Sequence, residues 1–177
     1  FFYTPSKEGL GETHRSELDK LIADFDSLSK KDILLWLDKF IGLNTYEISI
    51  PCLKDPSLCP EGRTGVIISF LAEYDLFRKA DEAGWYEEFK EEIEKRVITL
   101  LSETVYPMLK DNIIKRFSFS PLSIQKRVGS SEGAIVGWSF AEPVLVVNKI
   151  QISDRSVYTP IPNIYQAGQW VYSPAGV

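Results

Sequence analysis

Tyr46-Glu47-Ile48-Ser49-Ile50 and Gly65-Val66-Ile67-Ile68-Ser69-Phe70-Leu71 decide the fold class. The first alternates apolar and polar residues as a half-buried strand does, and it breaks at Pro51. The second is a fuller apolar strand behind the turn Pro60-Glu61-Gly62, and the two are expected to pair in one sheet. The connection between them, which holds Lys54-Asp55-Pro56-Ser57-Leu58, is longer than a usual hairpin turn and suggests a functional or edge-covering loop. Phe1 to Thr4 reads as a further short strand and Pro5 to Thr13 as a loop.

Helical periodicity surrounds these strands. Leu18, Leu21, Ile22, Phe25 and Leu28 recur at three and four, which predicts a helix over 14–28 with one buried stripe. Ser29 is a good N-cap with Asp32 behind it. The stripe Ile33, Leu34, Trp36, Leu37, Phe40, Ile41 then continues to Gly42, where the helix is expected to stop. A third helix is expected over 85–109, with Phe89, Ile93, Val97, Leu100, Leu101 and Val105 inward and Pro107 ending or distorting it. Ile113 to Ser120 reads as a strand with Phe117 and Phe119 on one side, and 121–127 as a short helical turn or loop. Together these predict an α+β fold: a mixed, mostly antiparallel sheet with about three main helices.

Composition excludes several classes. With 177 residues, 44% hydrophobic and 25% charged, the chain is neither disordered nor fibrous. The net charge of -5, from 20 basic and 25 acidic residues, offers no basic face for nucleic acid. No apolar run approaches the roughly 20 residues of a membrane span. Cys52 and Cys59 lie too far apart, with too few other ligands nearby, for a zinc site. They read as two free thiols of a reducing, cytoplasmic compartment, with a local disulfide as the other reading.

Reactive constellations are scarce. The single histidine, His14, has no nucleophilic partner near it in sequence and reads as a solvated or capping residue. The run Glu87, Glu88, Glu91, Glu92, Glu94 is interleaved with Lys90, Lys95 and Arg96, which makes it a solvated helix face. Gly9-Leu10-Gly11 lacks the third glycine and the strand-turn-helix order of a dinucleotide site. The aromatics Trp36, Phe40, Phe70, Tyr74, Phe77, Trp85, Phe117, Phe119, Trp138 and Phe140 suit either a core or an elongated apolar pocket, and spacing does not choose.

Three stretches carry a family signature in order. Asp55-Pro56-Ser57-Leu58 with Pro60-Glu61-Gly62 and Thr64-Gly65 runs into the strand 66–71. Ser120-Pro121-Leu122 with Lys126-Arg127-Val128-Gly129 precedes Gly133-Ala134-Ile135-Val136-Gly137-Trp138. Last comes Pro160-Ile161-Pro162-Asn163-Ile164-Tyr165-Gln166-Ala167-Gly168-Gln169-Trp170-Val171-Tyr172-Ser173-Pro174-Ala175-Gly176-Val177, where Tyr165 and Ala167 suit a buried strand and Gly168 permits a close ligand approach. In this order the chain resembles the phytoene desaturase and carotenoid/retinoid oxidoreductase family of FAD-dependent enzymes.

The resemblance implies a substrate-binding domain over 1–158 and the start of the return to the FAD domain over 159–177. It implies FAD contacts at Gly168, Gln169, Trp170, Ala175, Gly176 and Val177, and substrate contacts at Arg127, Gly137, Trp138 and Phe140. The parent enzyme would pass hydride between an apolar, polyene or isoprenoid-like molecule and flavin. The fragment alone is expected to be inert and to hold FAD poorly, because the pyrophosphate grip would lie before Phe1. Gln169 stands where related amine oxidases often carry an acid, which favours the desaturase branch over a flavin amine oxidase. A stand-alone carrier of apolar ligands, an interaction module, a dimer through the cut surface and a peripheral membrane contact of the parent stay open. No catalytic acid, base or metal ligand is expected.

Overall fold

The computed structural model describes residues 1–135 and 157–168. The chain divides into two compact units, residues 1–123 and residues 124–177. The architecture is α+β, as expected, although the described residues hold five α-helices rather than three main ones, and the sheet is wholly antiparallel.

The sheet of the first unit has strand order β1-β2-β3, with β1 Phe2–Tyr3, β2 Tyr46–Ser49 and β3 Ile67–Ser69. The register places Phe2 opposite Glu47 and Glu47 opposite Ser69, with Ile48 opposite Ile68 and Ser49 opposite Ile67. The period of two does the rest: Tyr46 and Ile48 are buried while Glu47 and Ser49 are exposed.

Helices cover the buried face. α1 spans Glu12–Asp24, α2 Lys30–Leu43, α3 Tyr74–Glu82 and α4 Tyr86–Thr104. Ser29 caps α2 by accepting from the Asp32 N–H, as its position in the sequence predicts. α2 runs through Gly42 and ends one residue later at Leu43; the C-cap Asn44 donates from its side-chain amide to Leu71 O at 3.1 Å. α3 ends in the bonding pattern that needs a left-handed residue: Trp85 N–H reaches Ala80 O, Gly84 N–H reaches Asp81 O, and Gly84 has φ +76°. That reversal turns the chain straight into α4 and delivers Trp85 to the core.

The core joins both layers. Leu37, Phe40 and Ile41 of α2 meet Tyr46 and Ile48 of β2, Leu76 and Phe77 of α3, and Phe89, Ile93, Val97 and Leu101 of α4. Edge-to-face pairs fix the aromatic members, with Phe77 to Phe89 at 5.5 Å and Trp85 to Phe89 at 5.3 Å between ring centres. Phe40, Phe77 and Trp85 are therefore core residues, with Trp36, Phe70 and Tyr74 packed against them.

Several expectations change. His14 is not solvated; it is buried in the first unit. Cys52 and Cys59 are bonded as a disulfide with Cα atoms 6.0 Å apart, which removes the free-thiol basis for a reducing compartment. Residues 113–120 form no ladder among the described residues. Their alternation survives nonetheless, since Arg116 and Ser118 both bind Glu94 of α4 while Phe117 and Phe119 pair at 5.8 Å.

Residues 121–128 form α5, Pro121–Val128. Its start is fixed by hydroxyls: Ser120 and Ser123 exchange N–H to Oγ bonds at 3.2 Å, and the Tyr86 hydroxyl lies 2.7 and 2.6 Å from their Oγ atoms. In the second unit, 157–166 is a small hairpin-like turn in which Tyr158 bridges Tyr165. Tyr165 and Ala167 are exposed there, not buried in a strand. No helix among the described residues is long and apolar enough to cross a membrane.

Candidate functional site

Of the residues that the resemblance assigns to cofactor or substrate, two lie within the described part. Arg127 sits exposed in the last turn of α5. Gly168 has φ +112°, and no heavy atom lies within 4 Å of the place a Cβ would take. A side chain there would be strained, and the backbone is open on that side. Gln169, Trp170, Ala175, Gly176, Val177, Gly137, Trp138 and Phe140 lie outside the described residues. Of the sequence-derived set, only Arg127 and Gly168 thus have a described position.

The first unit offers a different surface, the outer face of its sheet. Cross-strand partners point to the same side, so Phe2, Glu47 and Ser69 form one row of that face and Ser49 and Ile67 the next. Phe2 is 74% exposed and Ile67 54%. The alternation carries on past β3 to Leu71, which is 81% exposed. The connection between β2 and β3 adds exposed Leu53 and Leu58, inside the loop that the Cys52 to Cys59 disulfide closes.

This face contrasts with the sequence of the strand that supplies it. Val66, Ile67, Ile68, Phe70 and Leu71 make the segment around β3 apolar on both sides. A strand of that kind belongs to a sheet covered on both faces, whereas a sheet with one face in water alternates cleanly, as β2 does. Here helices cover the side of Ile48 and Ile68, while Ile67 stands in the open. The signal was present in the run 66–71, but its reading as a fuller apolar strand does not say what covers the second side.

Glu47 is the acidic group on this face, and Asp55 sits in the adjoining loop. Ser57 donates to Asp55 through its hydroxyl at 2.6 Å and its N–H at 3.0 Å, which holds the carboxyl below its ordinary value and keeps it anionic. That bond shapes the loop instead of leaving a free acid. Among the described residues no cluster of His, Cys, Asp and Glu could hold a metal ion. The arrangement suits holding and orienting an apolar molecule more than transferring protons. No protein-family model, curated protein or solved structure matches the chain.

Proposed function

We propose that the chain is the substrate-binding part of an FAD-dependent oxidoreductase of the phytoene desaturase type, with the outer face of β1 to β3 as a wall of the apolar substrate site. The observation that carries this reading is the uncovered side of the segment around β3, where Ile67 and Leu71 stand exposed on either side of Ser69 while Ile68 packs against the core. The ordered signatures at 55–71, 120–138 and 159–177 supply the cofactor and the reaction class.

Division of labour follows from the chemistry available. Bound FAD would accept or deliver the hydride. Phe2, Ile67 and Leu71 would exclude water from a hydrocarbon chain and align it by shape, since they carry no group that could react. Glu47 and the serines Ser49 and Ser69 would give that wall a polar margin. The resemblance assigns Gly168 to the flavin and Arg127 to the substrate, and both assignments stay part of the proposal for the second unit by itself. A membrane-surface contact of the parent is part of this proposal; the cytoplasmic location expected from free thiols is not, since Cys52 and Cys59 are bonded.

The test is to express the protein with its native flanking sequence and to record its flavin spectrum with and without an isoprenoid polyene substrate. A bound flavin that changes oxidation state with the polyene supports the reading. A folded, colourless protein that takes up no added FAD overturns it.

A further inference from the structure

We propose that His14 is an acid-sensitive latch between α1 and α2: the uncharged imidazole completes an aromatic stack with Trp36 and Phe40, and its protonation releases α1. The inference rests on the first unit alone and is independent of any flavin chemistry.

The geometry is unusual for a histidine. The residue is 6% exposed, and neither Nδ1 nor Nε2 has a hydrogen-bond partner among the described residues. Buried polar atoms are nearly always paired, so two bare ring nitrogens mark a position retained at some cost. The imidazole instead lies nearly parallel to Trp36, 5.3 Å away at 22°, and to Phe40, 5.5 Å away at 19°. Trp36 and Phe40 stack on each other at 5.1 Å, so the three rings form a closed triangle across the seam. The Trp36 indole N–H is also buried without a partner. No acceptor therefore waits at this seam for the second N–H that protonation creates.

Charge around the ring is nearly balanced. Glu17 faces it from α1 and favours the proton; Lys39 faces it from α2 and opposes it. Lys39 Nζ holds both Glu17 oxygens at 2.7 Å, so much of that carboxylate's field is already compensated. A cation over Trp36 would gain some attraction from the ring. Burial outweighs it and pushes the His14 pKa below its ordinary 6.5.

The sign of the effect follows. With the folded value depressed, the neutral ring supports the seam above pH 6.5, and that support is lost progressively as pH falls from there to the folded midpoint. Over that window the opening equilibrium of α1 should rise by up to about tenfold per pH unit. The onset of the response, just below pH 6.5, lies above the range in which most carboxylates titrate, and His14→Phe and His14→Leu separate it from any other group.

Because His14 is the only histidine, its ring protons can be followed without assignment ambiguity. The experiment titrates them by NMR in the folded chain and measures amide exchange of α1, corrected for intrinsic rates, between pH 7.5 and 5.5. The same exchange is measured in His14→Phe and in the smaller His14→Leu, so that a size clash in one leaves the other informative. The latch requires a midpoint below 6.5 and an acid-driven opening of α1 that either variant abolishes. A midpoint at or above 6.5, or the same pH-dependent opening in a folded variant, overturns it.

Discussion

The Tyr46 hydroxyl donates to the Ile41 carbonyl across 2.7 Å, and the bond is buried. Ile41 lies in the last turn of α2, where carbonyls lose their intrahelical donors; Asn44 N–H turns back to Phe40 O, and Thr45 N–H goes to the Asn44 side chain. The first strand after the helix thus caps the helix with its own side chain. Burial raises the phenol's pKa above its ordinary value, so it remains a donor at any physiological pH. Tyr46→Phe should leave that carbonyl bare and cost about 1–3 kcal/mol, read as a lower denaturant midpoint with an unchanged slope.

Arg96 ties α4 to α2. It reaches Asp38 at 2.6 Å and also binds Glu92 one turn back. Lys95 and Arg96 together hold the Glu92 carboxyl below its ordinary 4.5. That contribution is present above pH 4.5 and lost as pH falls through the folded value. Arg96→Met should cost about 1–2 kcal/mol at neutral pH, because the pairs are only partly exposed, and should flatten the acid limb of a stability profile. An unchanged acid limb in this variant would show that Arg96 contributes no such linkage.

The disulfide closes a short loop, since Cys52 and Cys59 are seven positions apart. Loop-closure entropy of the unfolded chain then gives about 2–3 kcal/mol. Replacing both cysteines with serine should lower stability by that amount while leaving the β2–β3 amide protection in place, since the paired residues 47–49 and 67–69 lie outside the ring. Mass spectrometry of the unreduced protein checks the bond directly.

Ile67 separates fold from function. It is exposed and outside the core, so Ile67→Ser should change stability by no more than about 0.5 kcal/mol. If the proposed flavin enzyme is right, the same change in the flavin-bound protein should weaken use of an apolar substrate and leave the flavin spectrum intact. Equal kcat/KM in the variant and the parent would remove the outer sheet face from the substrate site.

Much of this architecture was legible. The stripes of α1, α2 and α4 follow helical spacing, and the sheet pairing followed from two strand patterns. α3 escaped because Tyr74–Glu82 is short and carries Asp75, Arg78, Lys79, Asp81 and Glu82; three buried residues, Leu76, Phe77 and Ala80, are too few to show a period. The strand expected over 113–120 had the right alternation, yet Glu94 takes its polar side and no neighbouring strand pairs with it among the described residues. His14 was misread because residue type and neighbours in sequence do not reveal that Trp36 and Phe40 close over it from the next helix. The outer sheet face was half legible: Val66 to Leu71 announced two covered sides, but a pattern of side chains cannot name the second cover.

The start of α5 rests on three hydroxyls, those of Tyr86, Ser120 and Ser123, with no formal charge among them. The ion pairs on the helix surfaces, such as Lys30 to Glu88 and Lys39 to Glu17, are half exposed and weaken as ionic strength rises. Neutral hydroxyl contacts are not screened in that way. In concentrated salt the chain should therefore loosen first along its charged helix faces, while residues 120–123 keep their hold on α4, so that brine resistance resides where the chain leaves its first unit.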